Sequence, residues 1–320
     1  MRTPLRFLFL LLCAIAGLAS AQPYPSKPIR MVVPWAPGGS TDVLARLVGV
    51  KMTENWGQPV VVENKPGASG NIGSELVAKA APDGYTLLLG SVSTHAMNPF
   101  LMAGMPFKGV DDFSTIALAA YVTNVLVTHP SVPAKSVREL VDLLKAQPGK
   151  IAYASAGNGS PNHVAAELFR RLAAVEMLHV PYKGGGPATA AIAGGQVGVL
   201  FTGLGNVWEH VKAGRLNLLA VTENRRSSLL PGIPMVSETL PGYEVAVWYG
   251  VWSPAGIAPE LLTKLNAEVN RILGLPDVKQ RLALMGAEHV SMSAREAQAL
   301  LQREYDRWGD INRDSGIKAD

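Results

Sequence analysis

The feature that most constrains this chain is a repeated junction: an unbroken apolar strand, a glycine-rich turn, then a helix start. In "IRMVVPWAPGGSTDVLARLVGVKMTENW" the strand runs to Trp35 and the turn is Pro37-Gly38-Gly39. Ser40, Thr41 and Asp42, which follow, are residue types that cap helices. "YASAGNGSPNH" repeats the pattern, with Ser160 as N-cap and Pro161 at the first helical position. "VPYKGGGPATAAIAGGQVGVLF" supplies a third copy, its short helix stopped by Gly194-Gly195. Strands that are apolar throughout are buried on both faces, so with helices between them they predict a parallel α/β sheet covered on both sides. Ligands of such sheets gather beyond the carboxyl ends of the strands, where these turns lie.

Other segments keep to the pattern. "QPVVVENKPG" is a strand and turn, "GNIGSELVAKA" a helix and "YTLLLGS" a strand; "IAYAS", "MLHVPY" and "VGVLF" are further strands. "KSVRELVDLLKAQPGK" opens with Ser136 and Glu139 in capping-box spacing. Two amphipathic helices close the chain, "APELLTKLNAEVNRILGL" led by Pro259 and "SAREAQALLQREYDRWGDIN" led by a second capping box, Ser293 and Glu296.

Residues 1–21, "MRTPLRFLFLLLCAIAGLASA", combine Arg2 and Arg6, a short apolar run and Ala19-Ser20-Ala21, the pattern of a cleaved secretory signal. Cys13 follows Leu12 instead of the small residue a lipoprotein signal uses. It is the only cysteine, so the mature chain is expected to hold neither disulfide nor cysteine nucleophile. The roughly 300 residues left suit two domains with cores large enough to need no cross-link. Loss of the two arginines takes the basic count from 29 to 27 against 25 acidic residues. These charges are scattered and lack interleaved aromatics, which excludes a nucleic-acid-binding surface. No later apolar run has the length of a membrane helix.

The junctions point to anion binding. The first backbone N–H groups of a helix have no internal partner, and with the helix dipole they favour a negative charge. Four or five hydrogen bonds to a charged group, at roughly 1.5–3 kcal/mol each and less the ordering cost, reach the ~8 kcal/mol of a micromolar complex. The plain alternative at each turn is a capped helix. His163 reads first as a capping or surface histidine and second as a ligand contact, and Lys183 as a solvated side chain. Asp42, a carboxylate beside a carboxylate site, has two readings: it holds the Gly38-Gly39 loop, or it accepts from a ligand donor or bridging water.

Enzyme signatures are missing. There is no G-x-S-x-G elbow, no H-E-x-x-H and no His–carboxylate cluster at metal spacing, and "GASGNIG" and "GNGSPN" miss the dinucleotide-binding spacing. No metal or cofactor is expected. A secreted hydrolase using Ser160 and His163 stays as the alternative, although the pair at i and i+3 lacks a third residue to orient the histidine.

With those motifs in view, the chain resembles the Bug-type extracytoplasmic solute-binding receptors of tripartite tricarboxylate transporters. The likeness runs from "YPSKPIRMVVPWAPGGSTDVLAR" through "VVVENKPGASGNIGSELVAKAAPDGYTLLLGS", "IAYASAGNGSPNHVAAELF", "HVPYKGGGPATAAIAGGQV" and "VWSPAGIAPELLTKLNAEV" to the last helix. The resemblance implies an α/β, two-lobed periplasmic binding-protein fold (type 2-like), each lobe a doubly wound sheet, with a ligand cleft between them. It implies that the cleft grips a small organic carboxylate through Gly38, Gly39, Ser40, Thr41 and Asp42 of one lobe. Ser155, Gly157, Asn158, Gly159 and Ser160 of the other complete the grip, with Tyr24, His163 and Thr202 as further candidates. It implies a periplasmic monomer whose partners are integral-membrane permease subunits driven by an ion gradient; a receptor that presents its ligand to a membrane sensor is a further alternative. Trp35 stands where such receptors often carry Phe, and Gly198 and Thr202 where they often carry acids. If either of the latter faces the ligand, a less polar acid fits better. Crossovers expected near Ala120–Thr123 and Ala246–Gly250 divide the mature chain into lobe one (22–121 plus 248–320) and lobe two (122–247), with aromatics of "YEVAVWYGVWSP" at the hinge.

Overall fold

In the computed structural model, which describes residues 24–315 except 225 and 228, the chain builds two sheets. The signal segment read at residues 1–21 lies outside the described residues. The strands are β1 (Ile29–Val33), β2 (Val60–Asn64), β3 (Thr86–Ser91), β4 (Phe113–Val122), β5 (Asn124–Thr128), β6 (Ala152–Ser155), β7 (Leu178–Pro181), β8 (Val199–Gly203), β9 (Asn217–Val221), β10 (Val247–Pro254) and β11 (Ala287–Glu288). One sheet has the order β11-β4-β10-β3-β1-β2 and the other β7-β6-β8-β5-β9. The helices are α1 (Ser40–Trp56), α2 (Asn71–Ala78), α3 (Asn98–Leu101), α4 (Val137–Ala146), α5 (Pro161–Ala173), α6 (Gly185–Ala193), α7 (Leu204–Lys212), α8 (Pro259–Leu273), α9 (Pro276–Leu284) and α10 (Ala294–Ser315).

Both sheets contain the expected parallel strands, but neither is purely parallel. Met31 of β1 lies in parallel register with Val62 of β2 and Leu87 of β3, whereas β10 runs antiparallel to both β3 and β4. In the second sheet β6 pairs parallel with β7 and β8, and β5 runs antiparallel to β8 and β9. The reason is topological. β5 and β10 are the strands that enter a sheet from the other one, β5 across the single residue Thr123. No helix returns either over its own sheet, so the handed crossover that enforces parallel pairing is missing.

Side-chain alternation along β5 shows how the second sheet is covered. Val125 and Val127 pack into one core with Ala188 and Ile192 of α6 and Val207 of α7. Leu126 points the other way, into the larger core with Leu140 and Leu144 of α4 and Val164 and Phe169 of α5. On the first sheet α8 and α10 pack against β4, and α1 against β2 and α8. Trp248 and Trp252 of β10 are fully buried there, and Trp252 stacks on His95 with ring centres 4.0 Å apart.

Local signals set the helix starts. Ser293 and Glu296 form the reciprocal capping box, and Pro259 begins α8. Ser136 Oγ accepts from Glu139 N–H, but the Glu139 carboxylate accepts from Lys135 N–H, one residue before the cap. Among the described residues no helix is long and apolar enough to cross a membrane.

Candidate functional site

A cavity of about 940 Å³ lies between the two sheets, at the carboxyl ends of β1, β6 and β8. Its wall on the first sheet includes Trp35 to Thr41 and the loop Pro66 to Gly70. Its wall on the second includes Ala156 to Asn158, Ser160 to Asn162 and Lys183 to Pro187. All three strand–turn–helix junctions therefore open into one space.

At the first junction α1 starts at Ser40, with Gly39 as N-cap in extended backbone and no side-chain cap. The expectation that Ser40, Thr41 or Asp42 caps this helix is corrected: all three lie in its first turn, so its leading amides are left for the cavity. The Ser40 and Thr41 side chains instead hydrogen-bond the Tyr249 hydroxyl, whose pKa is raised by burial against the lowering effect of these bonds. Asp42 is 4% exposed and does not line the cavity. Its Oδ2 accepts from the Gly38 N–H at 3.0 Å, and its Oδ1 accepts from Asn64 Nδ2 at 3.0 Å and pairs with Arg46 Nη2 at 2.9 Å. Burial alone would raise this carboxyl, but hydrogen bonds from Arg46, the Gly38 amide and Asn64, with the Arg46 charge, hold it below its ordinary value. Of the two readings of Asp42, this geometry is that of the loop holder.

At the second junction Ser160 caps α5, its Oγ accepting from the His163 N–H at 3.3 Å, and Pro161 begins the helix. Gly157 and Gly159 take φ of 118° and 72°, a left-handed backbone that a β-carbon disfavours. Two imidazoles hold this turn from behind. His163 Nδ1 accepts from the Gly159 N–H at 3.2 Å, and His179 Nε2 shares a 2.7 Å hydrogen bond with Ser155 Oγ, which also accepts from the Gly157 N–H. The two rings stack 4.3 Å apart. Burial lowers the pKa of both; for His179, where the charge on His163 adds to the effect, the value falls to about 4.

The first-turn residues Gly38, Gly39, Ser40 and Thr41 meet Gly157, Asn158 and Ser160 across one cavity. Ser155 and Gly159 are buried behind it and shape the turn through the bonds just described. Three candidates fall elsewhere. Tyr24 precedes β1, at the end of that strand away from the cavity, where its ring packs on Trp56 and Tyr85 and its hydroxyl donates to Gly84 O. His163 supports the turn instead of facing the cavity. Thr202 is fully buried, and its Oγ1 accepts from Asn206 Nδ2. Gly198 also lies away from the cavity, packed against Val132 and Ile151. The Ser160 hydroxyl engages the backbone of His163 and not its ring, so these two residues do not form a serine–imidazole pair.

Several lining residues escape a reading of the sequence. Lys183, read as solvated, sits at the cavity rim and is exposed; among the described residues that line the cavity it is the only charged one. The loop Pro66 to Gly70 lines it too, with Ala68 and Ser69 at positive φ. Ser69 Oγ donates to Asn158 O, so this loop touches the second junction directly. Its signal was the "PGASG" after β2, a fourth glycine-rich turn between a strand and a helix. Asn124, Asn206 and Tyr249 carry no motif at all. Among the described residues no group of three His, Cys, Asp or Glu side chains is placed to hold a metal ion.

Residues 44–317 match the family described as the tripartite tricarboxylate transporter family receptor. Protein BugT of Bordetella pertussis is 36% identical over 313 residues, which cover 97% of this chain and 96% of that protein. Rpa4515 of R. palustris, solved with adipate, superposes with a TM-score of 0.86 at 34% identity over 92% of this chain and 99% of that one. MatC of Rhodopseudomonas palustris, solved with bound malate, gives 0.84 at 32% identity over 90% and 99%.

Proposed function

The chain belongs to the tripartite tricarboxylate transporter receptor family, and from that premise we propose that it captures a small organic carboxylate in the cavity between its lobes and delivers it to integral-membrane permease subunits. The observation that carries this reading is the opening of the uncapped α1 start and of the glycine turn before α5 into one cavity from opposite sheets. Gly38, Gly157, Gly159 and Ser160 donate their amides within the two turns. The amides of Gly39, Ser40 and Thr41, with Asn158 and the Ser160 hydroxyl across the cavity, are the groups we assign to the carboxylate. They bind an anion without a dedicated cation. Adipate and malate in the relatives' structures support an acid of this kind.

The chain divides for this purpose into lobe one, 22–121 plus 248–320, and lobe two, 122–247. Sheet membership supports the division, as does the packing of α8 and α10 on the first sheet. Thr123 is the hinge residue of this reading: its N–H donates to Gly286 O and its carbonyl accepts from Leu204 N–H, one contact on each side. The protein works as a periplasmic monomer after removal of residues 1–21.

Thermal unfolding across a panel of mono-, di- and tricarboxylates tests the reading. A ligand at one hundred times its Kd adds about 2.7 kcal/mol to the native state, so a true ligand raises Tm by several degrees in a saturating manner. A panel in which no carboxylate shifts Tm overturns it.

A further inference from the structure

The loop Pro66 to Gly70 has no part in the carboxylate reading, yet it lines the cavity in a costly conformation. Gly67, Ala68, Ser69 and Gly70 take φ of 132°, 45°, 54° and 92° in succession. Glycine adopts such values freely, but alanine and serine hold them where the surroundings over-determine the backbone.

The surroundings do so here. A β-carbon on Gly70 would lie 2.7 Å from Thr94 Cγ2 and 3.2 Å from the Trp35 ring, and one on Gly67 would lie 2.5 Å from Ile72 Cδ1. Asn98 is fully buried, and its Nδ2 donates to Ser69 O at 3.2 Å and to Asn71 Oδ1 at 3.0 Å. Asn98 follows a π-turn, Ser93–Met97, from which its N–H reaches back five residues to Ser93 O. Such turns are rare and recur at functional sites.

The side chain that this loop presents is Ser69. Its Oγ donates to Asn158 O. Ser69 belongs to lobe one and Asn158 to lobe two, so the bond joins one cavity wall to the other. Thr123 N–H to Gly286 O and Arg307 Nη1 to Glu244 O also join the lobes, but both lie beside the crossovers, next to β5 and just before β10. A contact at a hinge survives rotation about it, whereas a contact between opposing walls breaks when they part.

We propose that Ser69 is a latch between the lobes: its hydroxyl holds the Asn158 carbonyl, and with it the second turn, while the cavity is closed, and the buried Asn98 sets the loop that presents it. The inference rests on the two-lobe division above and on nothing about the identity of the ligand. Ser69 is a positioning residue for Asn158, and Asn98 acts through Ser69. Because the bond joins neutral groups, it biases closure without choosing among ligands.

The test measures the distance between the lobes. Cys13 is the only cysteine and lies in the segment read as a removed signal, so an introduced pair can be spin-labelled selectively in the mature protein. Lys79→Cys, just after α2, and Lys145→Cys, on α4, place labels at exposed positions of lobe one and lobe two. Pulsed EPR then gives the distance distribution in buffer and with malate added. Ser69→Ala is expected to raise the ratio of open to closed distances about fivefold, the worth of one hydrogen bond between neutral groups. Ser69→Gly should open the lobes as much, although glycine suits a φ of 54° better. If glycine keeps the lobes closed, Ser69 only shapes the loop and the latch is overturned. Asn98→Ala, with unfolding measurements to confirm the fold, should open the lobes but add nothing once Ser69 is alanine, because both changes act through one contact. Additive effects overturn the role of Asn98. A two-peaked distribution that Ser69→Ala leaves unchanged overturns the latch and spares the lobe division. One unmoving peak in every variant, with and without malate, overturns the lobe division and the latch together.

Discussion

At the α1 turn the backbone is held by a carboxylate, and at the α5 turn by two neutral imidazoles. Asp42 ties the Gly38 amide to Arg46 and Asn64, whereas His163 and, through Ser155, His179 tie Gly159 and Gly157. Both turns line the same cavity, yet their supports answer acid differently. A carboxylate with a lowered pKa keeps its hold until the pH drops below its ordinary value. An imidazole acceptor loses its lone pair on protonation, and these rings become protonated closer to neutrality. Similar turns in the sequence thus rest on different chemistry beneath them.

The largest effect is expected from removing the support of the first turn. Asp42→Ala leaves Gly38 N–H, Asn64 and Arg46 without their shared acceptor and should lower stability by about 2–3 kcal/mol in urea unfolding. Asp42→Asn, which keeps an oxygen for Gly38, should lose less. Equal stability of both variants and the wild type would mean that the first turn stands without Asp42, and the contrast would collapse.

The second turn is probed by pH. The folded pKa values of His163 and His179 lie below the ordinary 6.5, that of His179 at about 4. Unfolded chains therefore bind more protons in this window. The contribution of the pair is complete above pH ~6.5 and is lost as pH falls toward the folded values. With partial exposure discounted, a drop on the order of 1–2 kcal/mol between pH 7 and 4.5 is expected. Replacing His179 by Gln should flatten that slope; an unchanged slope would place the acid sensitivity elsewhere.

Ser160→Ala sharpens the comparison at a smaller scale. If its hydroxyl is chiefly the α5 cap, thermal unfolding should report about 1 kcal/mol lost. A loss of ligand affinity larger than the loss of stability would give that hydroxyl a direct contact. The smallest effect is expected from Lys183→Ala. This exposed rim residue should contribute less than about tenfold to the affinity of a carboxylate, or ~1.4 kcal/mol. A thousandfold loss by calorimetry would make a cation, and neither turn, the principal holder of the anion.

Much of this site was legible before any coordinates. The glycine runs, Ser160-Pro161 and the strand ends are signals read within a few residues, and the residues they marked that lie at the cavity wall include Gly38 to Thr41, Gly157, Asn158 and Ser160. Asn124 was not legible as a cavity residue, because an asparagine opening a strand has no local signature of lining one. The Ser69 contact with Asn158 joins residues 89 apart, and no periodicity in the sequence encodes that meeting.

The sequence by itself determined the α/β class, the helix starts at Ser160, Pro259 and Ser293, and the three glycine-rich junctions between strand and helix. These depend on backbone freedom, proline geometry and apolar patterning over a few neighbouring residues, all of which act before the chain folds back on itself. Only the tertiary structure decided that β5 and β10 run antiparallel, that Asp42 turns to Arg46 and Asn64, and that His163 stacks on His179 behind the second turn. Hydrogen bonding, burial and charge pairing depend on distances in space, and those distances exist only once both sheets have formed and closed around the cavity.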